Sequence, residues 1–238
     1  MPHRLVLLLL ALCLYSATAL AVLPPSEQIR TFLEGLDAGA EPFVGERRLH
    51  NPGLLSSLYS DRNHAPIWIA DGPLADSRSE LLRAVEVSAA HGLNPGDYHD
   101  QALRAVAGRV TTEGDGTGKA LALELLASDA FLQQVRHRSS GAVSPRELDP
   151  DWHLIPPEVD PVQTLAGLAE EGGSPVRTLD ALWPVHDEYQ QLLDERARIL
   201  ALGEIHVEPV PPGPLLKPGR QSSRRCLLER LKPGGSYC

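Results

Sequence analysis

The stretch HRSSGAVSPRELDPDWHL, from His137 to Leu154, gathers two histidines, two arginines, two aspartates, a glutamate, three serines and a tryptophan. Such residues can supply a metal site, a serine nucleophile with its base, or the paired carboxylates of a glycosidase. The spacing supports none of these. The nine histidines include no HxH, HxxH or HxxxH pair and no HExxH. His91 and His99 flank one turn, and His137 and His153 flank another, so ligation would require distant turns to converge. The local reading is of hydrogen-bonded or exposed imidazoles near helix ends. Ser139 and Ser140 stand in neither GxSxG nor SxxK, and a helix end suits capping and turn roles. Glu147, Asp149 and Asp151 crowd one proline turn, whereas a glycosidase places two carboxyls across a cleft about 5–10 Å apart. Asp149, before Pro150, fits an Asx-turn or N-cap. Cys226 adjoins Arg224 and Arg225, cations that favour a thiolate, but no histidine motif accompanies it. Cys238 is the last residue. The expectation is therefore no catalytic, no cofactor-binding and no metal-ligating residue, and no cofactor.

The elements that would position these side chains read as helices. Ile29, Phe32, Leu33 and Leu36 recur at helical spacing after Ser26. Asn51 and Pro52 form an N-cap followed by a first-turn proline, opening GLLSSLYSDRN. APIWIAD, residues 65–71, is a short apolar run read as extended or strand-like. SRSE, residues 77–80, has capping-box spacing and opens LLRAVEVSAAHG, which Gly92 closes. LNPGDYH turns into DQALRAVAGRV. The loop TTEGDGTG lacks the GK[ST] of a phosphate loop, since Ala120 follows Lys119. KALALELLASDAFLQQVRHR is apolar on nearly every side, which predicts a central helix ending at Arg138. Gly141 then provides the exit into a proline-rich turn, with Trp152 expected to anchor that turn against the core. Later helices are expected over DPVQTLAGLAEE, VRTLDALWP and HDEYQQLLDERARILALGE, the last burying Tyr189, Leu192, Leu193, Ile199 and Leu200. VEPVPPGPLLKPG reads as an extended linker. The fold class is mostly α, a multi-helix domain with at most one or two short strands.

Composition sets further bounds. The 238 residues are 42% hydrophobic and only 5% aromatic, so the core must be built of Leu, Ala and Val. Arg4, the apolar run from Leu5 to Tyr15, and the small residues Ala17, Ala19 and Ala21 have the pattern of a secretory signal peptide over residues 1–21. The run is too short to span a bilayer comfortably, so no stable membrane insertion is expected after cleavage. Leu12 before Cys13 argues against a lipid anchor. Of three cysteines, Cys226 and Cys238 would remain, and a loop closed by them would constrain only the tail. The formal net charge is −9. Six of the basic residues lie from Lys217 to Lys232, with Glu229 the single acid there, so the body is more acidic still. An acidic body argues against nucleic-acid partners. The basic tail reads as a solvated helix face, with an anionic polymer as the alternative.

Five ordered motifs carry a family resemblance over about residues 50–232: LLSSLYSDRNHAPIWIADGPL, AAHGLNPGDYH, LASDAFLQQVRHRSSGAVSPRELDPDWHL, PVHDEYQQLLDERARILAL and VPPGPLLKPGRQSSRRCLLERL. Together they resemble the scaffold domain of the large bacterial murein L,D-transpeptidases. The resemblance implies a helical scaffold domain over 22–212 and a linker with the start of a peptidoglycan-binding module over 213–238. It also implies a catalytic domain elsewhere, in which a cysteine in a Ser/Thr-x-Gly-Cys setting forms a thioester with a histidine as base. That setting is missing here, because Arg225 precedes Cys226 and Tyr237 precedes Cys238. The resemblance therefore implies an exported, periplasmic and catalytically inert scaffold, a shortened member, with peptidoglycan or a cell-wall synthesis protein as partner. The alternatives are a free-standing cell-wall or partner-binding module, and an independent hydrolase or metalloenzyme using the His/Asp/Glu turns.

Overall fold

The computed structural model describes residues 23–107, 117–153, 155, 157, 159–203 and 228. The segment read as a signal peptide, most of the TTEGDGTG loop, the stretch read as a proline-rich linker, Cys226 and Cys238 lie outside the described residues. The fold divides into two compact units, Met1–Tyr189 and Gln190–Cys238.

The first unit is an assembly of helices around one buried helix. α1 (Pro25–Asp37) buries Ile29 and Leu33, the predicted apolar stripe. A hairpin of β1 (Phe43–Val44) and β2 (Arg47–Arg48) follows, pairing Phe43 with Arg48 and Val44 with Arg47. Its two-residue turn uses Gly45 at φ +60°, a conformation that costs a glycine little. α2 (Pro52–Asp61) starts with Asn51 at its N-cap and buries Leu55, Leu58 and Tyr59. α3 (Arg78–Val87) is entered through a 3-10 turn, Ala75–Ser77, and left through another, Ser88–His91, which Gly92 ends at φ +86°. A 3-10 turn over Pro95–Tyr98 leads to α4 (Asp100–Ala107).

α5 (Thr117–Ser140) is the axis of the unit. Every residue from Leu123 to Leu132 is buried. α5 packs against α1, α2, α3, α4 and β1, and against two later helices, α7 (Pro161–Glu171) and α8 (Pro175–Asp180). A helix surrounded by others is apolar on nearly every side, as its sequence predicts, and the polar residues it does bury, Glu124, Ser128 and Asp129 among them, need partners. The helix ends at Ser140, two residues beyond Arg138, and Gly141, at φ +88°, donates its N–H to the His137 carbonyl and provides the expected exit. A short α6 (Pro145–Leu148) precedes the segment that leads to α7. Asp160 caps α7 by accepting from the N–H groups of Val162 and Gln163.

The mostly α class with its single two-stranded ribbon matches expectation among the described residues. Four local readings do not. APIWIAD forms no strand; it bends tightly, because its N–H groups are taken by a side chain of α5 and not by a neighbouring strand. Ser77 makes no side-chain cap, because the 3-10 turn before α3 already occupies that position. Trp152 is 40% exposed and does not anchor its turn in the core. In the last helix, α9 (Asp187–Ala201), Leu192, Ile199 and Leu200 are each more than half exposed. Its second-unit part is a polar helix carrying a two-bond Arg198–Glu195 ion pair.

Candidate functional site

The polar residues of α5 fall into two buried clusters. The first sits where α5 meets the 65–74 segment. Glu124 is fully buried and accepts from the N–H groups of Ile67 (2.6 Å) and Trp68 (2.8 Å) and from the Tyr59 hydroxyl (2.5 Å). Trp68 Nε1 donates to Ser128 Oγ at 3.0 Å, and Ser128 lies 2.7 Å from the Tyr59 hydroxyl. Since Tyr59 donates to Glu124, Ser128 donates to Tyr59, and a directed chain runs Trp68, Ser128, Tyr59, Glu124. Burial raises the Glu124 carboxyl above the usual carboxylate range, and its hydrogen bonds only partly offset this. The Tyr59 phenol is likewise pushed up by burial and by Glu124 beside it. This cluster is sealed from solvent and serves to fold the loop.

The second cluster surrounds Asp129, one residue further along α5. Asp129 Oδ1 accepts from the Asn51 backbone N–H (2.7 Å) and Asn51 Nδ2 (3.1 Å). Its Oδ2 accepts from the His50 N–H (2.9 Å) and His99 Nε2 (2.7 Å). His99 is held at φ +57°, a conformation few non-glycine residues adopt, and Asp129 holds it there. Burial pushes the Asp129 carboxyl up, but the His99 bond and the two backbone N–H groups outweigh it and leave its pKa below the usual range. From Asn51 the network runs outward. Arg136 Nη1 donates to Asn51 Oδ1 at 2.7 Å. Asn51 Nδ2 donates to Gln133 Oε1, so Gln133 Nε2 donates to His137 Nε2 at 3.0 Å. His137 must then carry its proton on Nδ1 and donate it to the Tyr98 hydroxyl at 2.9 Å. Burial lowers the His137 pKa, in keeping with the neutral ring this chain requires.

The outer members of this network form the floor of an open cleft of about 960 Å³. His50, Asn51, Arg136 and His137 lie on the floor. The far wall is the post-α5 segment, with Val143, Arg146, Trp152 and Ile155. The opening polar stretch thus lines the cleft, and of the residues weighed for chemistry His137 and Ser140 are among the lining. Ser139 is spent on the Val135 carbonyl of its own helix. Asp149 accepts from the Asp151 N–H at 3.0 Å, the expected Asx-turn, and Glu147, Asp149 and Asp151 are exposed. His91 stacks on Trp183, centroids 3.9 Å apart, and bonds Tyr189 at 2.7 Å. His153 is exposed.

Sequence reasoning missed the convergence of His50, His99 and Asp129, whose candidate ligand atoms lie within 4.8 Å of one another. Two histidines and a carboxylate are a plausible donor set for a divalent metal in kind. Here, however, Asp129 already accepts four hydrogen bonds, the His99 nitrogen facing it is one of the donors, and the His50 and His99 rings stack at 5.0 Å. The geometry is that of a satisfied hydrogen-bond cluster. Pairs separated by 30 to 79 positions leave no spacing motif, so no local signal could have found it.

Among the described residues, no helix is long and apolar enough to cross a membrane. No curated protein and no solved structure matches the chain. A family model described as a scaffold domain matches residues 53–195, which takes in α2 from its second residue through most of α9, the Glu124 cluster, the Asp129 cluster apart from His50 and Asn51, and most of the cleft. On that match, and on the five motifs within and around it, the chain belongs to the scaffold-domain family of the L,D-transpeptidases.

Proposed function

We propose that this chain acts as a non-catalytic scaffold in an exported L,D-transpeptidase-like system, contributing to peptidoglycan cross-linking and cell-wall biogenesis. The family match over residues 53–195 carries this reading. The polar residues of α5 agree with it, since Glu124 and Asp129 are consumed in holding the 67–68 backbone and the turn before α2. The secretory pattern of residues 1–21 supports a periplasmic location. The test is muropeptide analysis of cells with and without the gene, joined to fractionation of the tagged protein. The expected result is a periplasmic protein of signal-cleaved mass and an altered share of L,D-cross-links when it is missing. An unchanged cross-link profile together with a cytoplasmic location would overturn the reading.

The second reading, a cell-wall or partner-binding module, draws support from the open cleft. Pull-down on purified sacculi separates the two: retention favours the module, and free passage favours a scaffold that acts through its fold alone.

A further inference from the structure

We infer that the cleft between the α2 N-terminus and the post-α5 segment is a binding site for a carboxylate-bearing peptide. The first argument is charge. The chain carries 31 acidic residues against 22 basic ones. Yet the described residues lining the cleft include the arginines Arg136 and Arg146, and no aspartate or glutamate. Local reversal of the molecule's own sign marks a place for an anion.

The second argument is hydrogen-bond polarity. The floor offers mainly donors, and its acceptors are already committed. Asn51 Oδ1 is taken by Arg136, and His137 Nε2 is taken by Gln133. Arg136 uses one N–H on Asn51 and has four more, enough for a two-bond grip on a carboxylate. Such a floor suits the carboxylate of a ligand, which only accepts.

The third argument is preorganisation and an apolar wall. Arg136 is held by Asn51, and Asn51 by the buried Asp129, so the cation is fixed before any ligand arrives. Opposite it, Trp152, Val143 and Ile155 are 40%, 59% and 81% exposed. Exposed large apolar side chains on a concave wall suit the aliphatic side chains of a peptide. At about 960 Å³ the cleft takes a few residues, near the upper end of ordinary ligand sites.

The inference does not depend on the cross-linking role. Calorimetric titration of the purified protein tests it with a hexapeptide of alternating leucine and glutamate bearing a free C-terminus. Its twin has glutamines and an amidated C-terminus, and inorganic phosphate serves as competitor. Arg146, exposed on α6, is the first variant because its change leaves the core intact. The acidic peptide should bind, and both the neutral twin and Arg146→Glu should weaken binding by about tenfold or more, the scale of one charge-assisted bond. Trp152→Ala should weaken binding of the same peptide several-fold, with circular dichroism unchanged. Equal binding of the two peptides, undiminished affinity in Arg146→Glu, displacement by phosphate at equal concentration, or no heat at millimolar peptide would each overturn the inference.

Discussion

Glu124 shows how much of this fold hangs on single side chains. Three donors, the Tyr59 hydroxyl and the N–H groups of Ile67 and Trp68, converge on its two oxygens in a site closed to water. A carboxylate is an acceptor only, so it meets all three. Glutamine has the same shape but one acceptor oxygen, and its amide nitrogen would face a donor. Glu124→Gln should therefore destabilise the protein by about 1–3 kcal/mol, the cost of a buried donor left without a partner. Urea denaturation followed by far-ultraviolet circular dichroism would read this as a lower midpoint. A midpoint equal to wild type would show that the loop is held some other way. Asp129 plays the parallel part for the turn before α2, with His99 and Asn51 as its side-chain partners.

At the scale of elements, the 67–74 segment depends on close backbone approach as well as on Glu124. The Gly72 N–H donates to the Ile69 carbonyl, and the Leu74 N–H to the Ile67 carbonyl. A Cβ on Gly72 would lie 2.6 Å from the Ile67 carbonyl carbon and oxygen and 2.8 Å from the Ile69 oxygen. Those are backbone atoms pinned by Glu124, so they cannot swing aside as a side chain would. Gly72→Ala should cost about 1–3 kcal/mol by overpacking, seen as a lower melting temperature. An unchanged melt would mean that the segment can open. This segment also shows what the sequence could reveal. The helices were legible because periodicity, first-turn prolines and terminal glycines are local signals: α1, α2, α5 and α7 follow them closely. APIWIAD was misread because its hydrogen bonds go to a residue 56 to 57 positions away. Alternating apolar residues look the same whether a strand or a carboxylate satisfies their backbone. Trp152 and the apolar residues of α9 failed differently. Periodicity tells which face is apolar, but not whether anything covers it.

For the molecule as a whole, the buried titratable groups make stability depend on pH with opposing signs. Glu124 has its pKa raised by burial, so the stability tied to its protonated form is present at low pH and lost as pH rises through the folded-state value. Asp129 is lowered, so its contribution is present above the ordinary carboxylate value and lost only in strong acid. His137 works in the neutral range. Its lowered pKa means that the unfolded chain takes up a proton near pH 6.5 while the folded ring stays neutral. Unfolding therefore binds protons in that window, and stability falls as pH drops from about 7.5 towards 5.5. Glutamine at this position can accept from Gln133 and donate to Tyr98, as the neutral ring does, but it cannot titrate. His137→Gln should therefore fold, and its unfolding free energy should fall less steeply across the same interval. Denaturation of both proteins at pH 7.5, 6.5 and 5.5 reads the difference. Parallel profiles would show that His137 accepts its proton as easily in the folded protein as in the unfolded chain. The directed chain from Asn51 through Gln133 to Tyr98 would then not hold the ring neutral.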